Sequence, residues 1–378
     1  MIALVSVAGG AVAEAEREAE SAGLDAAELY ATAVFDALAL IDGGEDPGFE
    51  MPARYDFGVV LDTAAAGWWN GGLFHVSLMG TSGGSPSRRI GDLQTVSSVD
   101  APNTFKLYSA YIEQAFGDLF ALLLGLHDLN TEFYVLDSSG LFLNSSFGNG
   151  PEISQVNPSI FPTTAPTARL RASLPVRGGY LLAAVYDGVP GNPHDPYGTH
   201  IEFAAGDGVL AIVESGVSDP AAGYKLGLGV WHHTATFDDV AGRSRNKNTG
   251  GYVIGERTLA DGSSVWPATR VFAQIGLAQS DRNQLSSYFG AGATWLGLAP
   301  GRPDDVLGLA VAHARQSDRF IARYAGAERA ETAIELTYLA TLSDHLAFQP
   351  DLQFVIEPGA DGRSGHAWVL GARVMLSF

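Results

Sequence analysis

The sequence has no cysteine, and this absence removes several classes of protein from consideration. Disulfide cross-links, thiolate zinc sites and cysteine nucleophiles all require that residue. Lysine is almost as scarce, since Lys106, Lys225 and Lys247 are the only ones, and the net charge is −20. Because such an acidic surplus repels phosphate groups, the sequence argues against binding to nucleic acid. No motif indicates a cofactor or a metal ion, and we expect neither.

Charged residues and long apolar runs are also scarce. Charged residues make up 17% of the chain, below the quarter or so that is usual in globular domains, while hydrophobic residues reach 46%. No window holds 18 unbroken apolar residues, so the sequence predicts no transmembrane helix. Either the chain is an ordinary β-rich soluble protein, or its membrane signal is spread over short alternating strands.

What is present begins with a mostly apolar N-terminal stretch, Ile2–Val12. It contains the small-residue pattern Ala11-Val12-Ala13 that signal peptidases accept, but no Lys or Arg precedes it. We interpret it as a truncated signal peptide; a helical N-terminal extension is the alternative. The predicted division of the chain is therefore a signal peptide at 1–15, a periplasmic extension at 16–27 and one β-barrel domain at 28–378.

Alternation of apolar and polar residues recurs along the rest of the chain. In "HAWVLGARVMLSF" every second residue from Trp368 to Phe378 is apolar, which is typical of a strand with one apolar face. "YDFGVVLD" and "AIELTYLA" show the same period. The pattern predicts sixteen strands, at 29–38, 54–61, 72–80, 106–115, 119–126, 167–174, 180–186, 208–215, 222–233, 250–259, 268–278, 287–297, 305–314, 331–341, 346–356 and 366–378.

The predicted connections alternate between short and long. Turns such as 116–118 and 343–345 are short, whereas 81–105, 127–166 and 187–207 are long. Short turns on one rim and long loops on the other are typical of an outer-membrane barrel, and a soluble β-sandwich lectin gives no reason for this asymmetry. The fold class expected is all-β, a transmembrane antiparallel up-and-down barrel whose long loop folds into the lumen. A final strand ending on Phe378 places an aromatic ring at the bilayer interface.

Several stretches resemble the carbohydrate-selective porin family of the OprB type. They are "LDTAAAGWWNGGLFHVSLMGTSGG", "IGDLQTVSSV", "LYSAYIEQAF", "LFLNSSFGNGP", "YKLGLGVWHHTATFDD", "APGRPDDVLGLAVAHARQS" and "ETAIELTYLATLSDHLAFQPDLQFVIEPG", in family order. The resemblance implies a sixteen-stranded barrel that admits sugars by diffusion across the bacterial outer membrane. Its expected partners are small neutral sugars, outer-membrane lipid and lipopolysaccharide, and the barrel-assembly machinery. The oligomeric state stays open.

The connection 127–166 is the longest, and a loop of this length is usually functional or disordered. It is rich in aromatic residues, Asn and Ser, so we expect it to fold into the lumen and form the constriction. Sugar recognition requires aromatic faces for the ring and fixed polar groups for the hydroxyls. The alternative is that the aromatic residues only attach the loop to the wall. The candidate sugar-binding residues of this loop are Asp128, Asn130, Glu132, Phe133 and Asn144.

Charged residues within the strands should face the lumen, because a charge at the bilayer midplane costs ~2–4 kcal/mol. Guanidinium groups offer five fixed donors for sugar hydroxyls or carboxylates. The alternative is a ladder of ion pairs that braces the wall. The predicted inward residues are Arg169, Arg171, Arg257, Arg270, Arg373, Glu113 and Glu335, with Asp351.

Two other functions remain open alongside the sugar porin. One is an anion or general diffusion porin, which shares the same barrel. The other is a barrel enzyme, for which the "GTSGG" stretch with Ser82 at its centre is the one G-x-S-x-G match. A nucleophile elbow needs a helix after the serine, and the sequence predicts none there. We therefore expect no enzymatic activity.

Overall fold

The computed structural model describes residues 26–204, 206–262 and 267–378. The predicted signal peptide and residues 16–25 of the predicted extension lie outside the described residues. The last residue of that predicted extension, Ala27, opens the first strand. Within the described ranges, no helix has the length and hydropathy needed to cross a membrane.

The described residues form one antiparallel sheet in which each long strand pairs with its neighbours along the chain. β1 pairs with both β17 and β3, so the sheet closes into a barrel of sixteen long strands, and the three-residue β2 pairs with β1. The strands are β1 (Ala27–Gly43), β2 (Gly48–Glu50), β3 (Ala53–Asp62), β4 (Gly72–Ser82), β5 (Thr104–Phe116), β6 (Phe120–His127), β7 (Ala165–Ser173), β8 (Gly179–Asp187), β9 (Val209–Asp219), β10 (Tyr224–Asp238), β11 (Ser244–Asp261), β12 (Ala268–Ala278), β13 (Leu285–Leu296), β14 (Val306–Gln316), β15 (Ala330–Ser343), β16 (Leu346–Ile356) and β17 (His366–Ser377).

Short helices lie in the long connections: α1 (Pro86–Ile90), α2 (Pro151–Ser154) and α3 (Asp318–Arg323). The expectation that no helix follows Ser82 is wrong, because α1 begins four residues after it. Ser85 caps this helix by accepting a hydrogen bond from the Arg88 backbone N–H, and Pro86 opens it. The Ser82 hydroxyl lies 3.3 Å from the Tyr55 hydroxyl.

The period-two pattern is confirmed strand by strand. On β10, Leu226, Leu228 and Val230 are 54%, 59% and 53% exposed, while Gly229 and Trp231 between and beside them are buried. An apolar face this exposed and this continuous is stable only against another apolar phase. In an outer-membrane barrel that phase is lipid, and the opposite face points into the lumen.

Glycines on the lumenal face make room for large aromatic rings. A Cβ atom at Gly229 would lie 2.0 Å from the Tyr252 ring, and one at Gly250 would lie 2.3 Å from the Trp231 ring. Because glycine has no side chain, each ring can lie against the backbone of the neighbouring strand. The barrel wall therefore carries bulky side chains on its inner face without being pushed apart.

Candidate functional site

The connection 128–164 enters the lumen and packs against its wall, as the sequence predicts. Phe133, Leu141, Phe142 and Phe147 are all buried in one cluster with wall residues that include Phe272. The rings of Phe142 and Phe147 have their centroids 5.7 and 6.0 Å from that of Phe272. We call this segment the constriction loop.

Wall glutamates hold the constriction loop by its backbone amides. Glu335 on β15 accepts hydrogen bonds from the N–H groups of Leu143 (2.6 Å) and Asn144 (3.0 Å). Glu256 on β11 accepts from Asp137 (3.2 Å) and Ser138 (2.9 Å) in the same way. Each carboxylate thus satisfies paired buried donors that an apolar wall would leave unpartnered.

A third glutamate, Glu214 on β9, completes this arrangement. It accepts a hydrogen bond from the Tyr134 backbone N–H (3.0 Å) and from the hydroxyl groups of Tyr180 (2.8 Å) and Tyr252 (2.6 Å). Tyr134 has a positive φ of 68°, and its ring packs 4.2 Å from that of Tyr252. The loop is therefore fixed at three successive points along its first half.

A second connection, 83–103, also enters the lumen, which the sequence did not indicate beyond its length. Glu331 accepts hydrogen bonds from the N–H groups of Leu93 (2.8 Å) and Gln94 (2.7 Å). The Ser97 hydroxyl donates to Asp36 of β1 at 2.7 Å. The backbone N–H of Ser98 donates to Leu143 of the constriction loop at 2.8 Å. The two loops therefore support each other inside the barrel.

Three of the loop residues predicted to bind sugar are buried, which corrects that prediction for the observed conformation. Phe133 has no exposed surface because it belongs to the cluster that attaches the loop to the wall. Asp128 accepts hydrogen bonds from the Tyr108 hydroxyl and from the Asn130 backbone N–H (2.8 Å). Asn144 donates from Nδ2 to the Gln94 carbonyl oxygen at 2.9 Å. These side chains are occupied by the protein itself.

The other two predicted loop residues are half-buried. Asn130 donates from Nδ2 to the carbonyl oxygens of Gly148 (2.8 Å) and Phe133 (3.2 Å). Its side-chain amide therefore joins two parts of the constriction loop. Glu132 forms an ion pair with Arg169, with 2.7 Å between Oε2 and Nε. Among the described residues, Glu132 is the one candidate of the five that forms an ion pair with a strand arginine.

Arg373 and Glu335 face inward as predicted, but both are enclosed. Arg373 has no exposed surface and forms a two-pronged ion pair with Asp36, at 2.6 and 2.7 Å, across the β1–β17 seam that closes the barrel. It also donates to Ser98 of the second loop at 3.1 Å. Asp351 is likewise buried beside Gln353, at 2.9 Å. For these residues the bracing alternative describes what the structure shows.

Arg257 faces outward, which corrects the prediction that it lines the lumen. It shares the outward side of β11 with the exposed residues Val253 and Leu259. Its guanidinium carbon lies 5.6 Å from the centroid of the Tyr224 ring, close to the short-turn rim. At this height a long side chain reaches the polar interface, so the cost of a charge at the bilayer midplane does not apply. Arg270 lies on the lumenal side of β12 and is half-buried.

The remaining predicted residues form what we call the charge cluster: Arg169, Arg171, Glu113 and Glu132. Arg169 pairs with both glutamates, and Arg171 pairs with Glu113 at 2.9 Å. The Arg171 side chain is 41% exposed, whereas that of Arg169 is 2% exposed. Two cations and two carboxylates thus lie together where β5 and β7 face the start of the constriction loop, and Arg171 is the more exposed of the two cations.

A second arginine site was missed by the sequence reasoning. Arg54 on β3 is buried and pairs with Asp56 at 2.7 Å. Its guanidinium carbon lies 5.2 Å from the Tyr108 ring centroid and 4.7 Å from that of Phe161. The two-residue period of a strand could have revealed it, because Arg54 and Asp56 alternate with the outward residues Tyr55 and Phe57.

Burial changes the acid–base behaviour of two carboxyl groups in the constriction loop. Burial raises the pKa of Asp128 to about 6, against the opposing effect of the Tyr108 hydrogen bond. Burial raises the pKa of Glu152 to about 7. Glu152 lies in α2, where it accepts a hydrogen bond from the Tyr134 hydroxyl at 3.1 Å. Both groups therefore titrate near neutrality rather than near pH 4.

Comparisons with known proteins agree with this architecture. Porin B of Pseudomonas aeruginosa is 23% identical over 397 residues, which cover 91% of this chain and 86% of that protein. The high-pH structure of Pseudomonas putida OprB matches with a TM-score of 0.85 at 19% identity, over 98% of this chain and 97% of the other. The outer-membrane channel DcaP of Acinetobacter baumannii matches with a TM-score of 0.57 at 12% identity, over 93% and 97%.

Residues 50–378, most of the chain, match the family described as "Carbohydrate-selective porin, OprB family". The closed sixteen-stranded barrel agrees with this match. The chain therefore belongs to the carbohydrate-selective porin family, OprB, and is a sugar porin of the bacterial outer membrane.

Proposed function

We propose that the charge cluster selects neutral mono- and oligosaccharides and that they pass by diffusion, without any chemical step. The observation that carries this proposal is the exposure of Arg171 in the lumen while it is paired with Glu113. A guanidinium beside a carboxylate offers donors and acceptors at fixed positions, which is what adjacent sugar hydroxyls require. The cluster also has no net charge, counting its two arginines and two glutamates.

The balance of charge separates this proposal from an anion porin. A site that concentrates anions needs a surplus of positive charge at the narrowest part of the path. Here each arginine is matched by a glutamate within ion-pair distance. On the long-loop rim the carboxylates of 44–50 are paired as well, Asp46 and Glu50 with Arg89 and Glu45 with Arg363. The charge cluster therefore favours neither anions nor cations, and a neutral solute meets no opposing charge there.

The test is ion current through the purified full-length chain in planar bilayers, with sugars added as blockers. We expect low conductance, little preference between cations and anions, and block by neutral mono- or disaccharides. Arg171→Gln should weaken the block about tenfold or more, because it removes the exposed donor of the cluster. The double variant Arg169→Ala/Arg171→Ala removes both arginines of the charge cluster and should also weaken the block. Glu45→Ala, in an exposed loop of the mouth, is the matched control and should leave the block unchanged.

The two porin types give opposite results in this experiment. If phosphate or organic acids block the current while neutral sugars leave it unaltered, an anion porin replaces the sugar porin. If sugars block wild type and Arg171→Gln equally, the path is sugar-selective but the charge cluster is not the selecting site.

A further inference from the structure

Positive charge is concentrated in one sector of the long-loop rim. The segments 238–247, 281–282 and 315–329 contain eight basic and five acidic residues, in a chain whose net charge is −20. They belong to the neighbouring hairpins β10–β11, β12–β13 and β14–β15. We call this sector the cationic rim; its basic residues are Arg243, Arg245, Lys247, Arg282, Arg315, Arg319, Arg323 and Arg329.

The three segments form one connected surface. The Val240 backbone N–H donates to the Asp281 carbonyl oxygen at 3.1 Å, and the Ser317 N–H donates to that of Gln284 at 2.7 Å. Arg282 donates from Nη1 to the Asn246 carbonyl oxygen at 2.9 Å. Hydrogen bonds of this kind fix the three loops relative to one another, so their basic residues form one continuous charged surface.

Part of this charge is not neutralised by the protein. The side chains of Lys247, Arg323 and Arg329 are exposed, and within the described residues no ion pair or hydrogen bond joins them to a partner. Arg319 is exposed too, and its charge helps to lower the pKa of Asp281 without forming an ion pair within the described residues. Arg243 and Arg245 share the single carboxylate of Asp239. Among the described residues, the cationic rim therefore offers guanidinium groups that an external anion can occupy.

Aromatic and apolar surface lies beside these cations. Arg319 and Arg323 are four residues apart in α3, and the ring of Phe320 lies 4.4 Å from that of Tyr324, the residue that follows the helix. Tyr324 is 50% exposed. The strands below carry outward-facing Ile275, Leu277 and Phe289, which are exposed toward lipid. Cations and aromatic residues at the rim, beside an outward apolar band, match a lipid that has an anionic headgroup and apolar chains.

We propose that the cationic rim binds the phosphate groups of an anionic glycolipid in the surrounding leaflet. Guanidinium groups form paired hydrogen bonds with phosphate, and basic residues at a membrane surface attract anionic headgroups. The loops 44–50 and 188–208 contain no Lys or Arg, and Arg89 and Arg363 beside 44–50 are paired with its carboxylates, so lipid phosphate is held on one side of the barrel. This surface is separate from the charge cluster, and its failure would leave the proposed sugar selection untouched.

The experiment uses the full-length chain in detergent micelles and lipid A carrying two phosphates as the probe, with binding followed by native mass spectrometry. Combined Arg319→Gln, Arg323→Gln and Arg329→Gln should weaken binding about tenfold or more, and added salt should weaken wild-type binding. The combined Lys substitutions at the same positions should retain it. Arg363→Gln on the same rim and Arg177→Gln on the opposite rim are controls, at 75% and 83% side-chain exposure.

Two further arms identify the source of the phosphate. Dephosphorylated lipid A should bind wild type as weakly as phosphorylated lipid A binds the triple Gln variant. Inorganic phosphate should not displace the lipid, because it lacks the chains that contact the apolar band. Equal binding by wild type and the triple Gln variant overturns the proposal. So does full displacement by inorganic phosphate, or a changed ion preference of the pore with unchanged lipid binding.

Discussion

Single glutamates on the lumenal wall act as anchors for backbone. Among the described residues, Glu214, Glu256, Glu331 and Glu335 each accept backbone N–H groups from an inserted loop. A hydrogen bond contributes about 0.5–1.5 kcal/mol, and an unpartnered buried N–H costs about 1–3 kcal/mol. A large part of the acidity in the strands is therefore used to hold the loops and not to attract solutes.

Glu152 makes one loop contact sensitive to pH. Burial raises its pKa from the ordinary 4.5 to about 7, so the packed loop favours the protonated form. The sign follows from this direction: stability is highest at low pH, falls as pH rises through about 4.5 to about 7, and is level above that range. At about pH 8 we expect the free energy of unfolding of Glu152→Gln to exceed that of wild type by on the order of 3 kcal/mol at most. The variant should therefore unfold at a higher temperature than wild type.

The measurement is the midpoint of heat-modifiable migration on detergent gels at about pH 5 and about pH 8. The difference between wild type and Glu152→Gln should be small at the lower pH and larger at the higher one. Asp344→Asn changes a carboxyl group in an exposed short turn and serves as the control. A difference that is the same at both pH values would show that ionisation of Glu152 does not affect loop packing.

At the scale of elements, the constriction loop depends on small residues in the wall as much as on anchors. A Cβ atom at Gly308 would lie 2.5 Å from Leu141, and one at Gly276 would lie 1.9 Å from the Glu152 carboxylate. The glycines of β12 and β14 therefore leave space on the wall in which the loop packs. These glycines and the anchoring glutamates belong to strands far from the loop in sequence, so the loop takes its conformation from the completed barrel.

Removing one anchor should loosen the loop without opening the barrel. In Glu335→Ala the N–H groups of Leu143 and Asn144 lose their acceptor, which costs about 2–6 kcal/mol locally. We expect a larger and noisier single-channel conductance and cleavage of the 128–164 segment by added protease. Glu328→Ala removes an exposed acid just before β15 and is the control. Unchanged conductance and protease resistance in Glu335→Ala would contradict the anchoring role.

Local periodicity explains why the sequence predicts the strands but not the loop contacts. Arg169 and Arg171 follow the two-residue period around the outward Leu170, so their inward direction can be read from neighbours. The burial of Phe133 and Asn144 depends on partners such as Glu335, which lies 191 residues after Asn144. Arg257 shows a different difficulty: the energetic rule for charges holds at the midplane, and the sequence does not give the height of a residue within the bilayer.

For the whole molecule, the long and short connections define two unlike rims. The 188–208 loop contains exposed residues at 192–195, and the 344–345 turn on the other rim is also exposed. We expect an epitope inserted after Pro193 to be labelled by antibody on intact cells, because long loops of outer-membrane barrels face outside. An epitope inserted after Asp344 should be labelled only after permeabilisation. Labelling of the second insertion on intact cells would reverse the orientation.

The anchors of the inserted loops also set an order of folding. The Glu335–Leu143 hydrogen bond joins residues 192 positions apart, and the Gln353–Val96 bond joins residues 257 positions apart. Contacts of such separation form late, since the intervening chain must first be ordered. The wall on β15 and β16 does not exist for the loops until those strands have joined the sheet. The narrow part of the path is therefore built jointly by both halves of the chain, and it cannot form before β15 and β16 have joined the sheet.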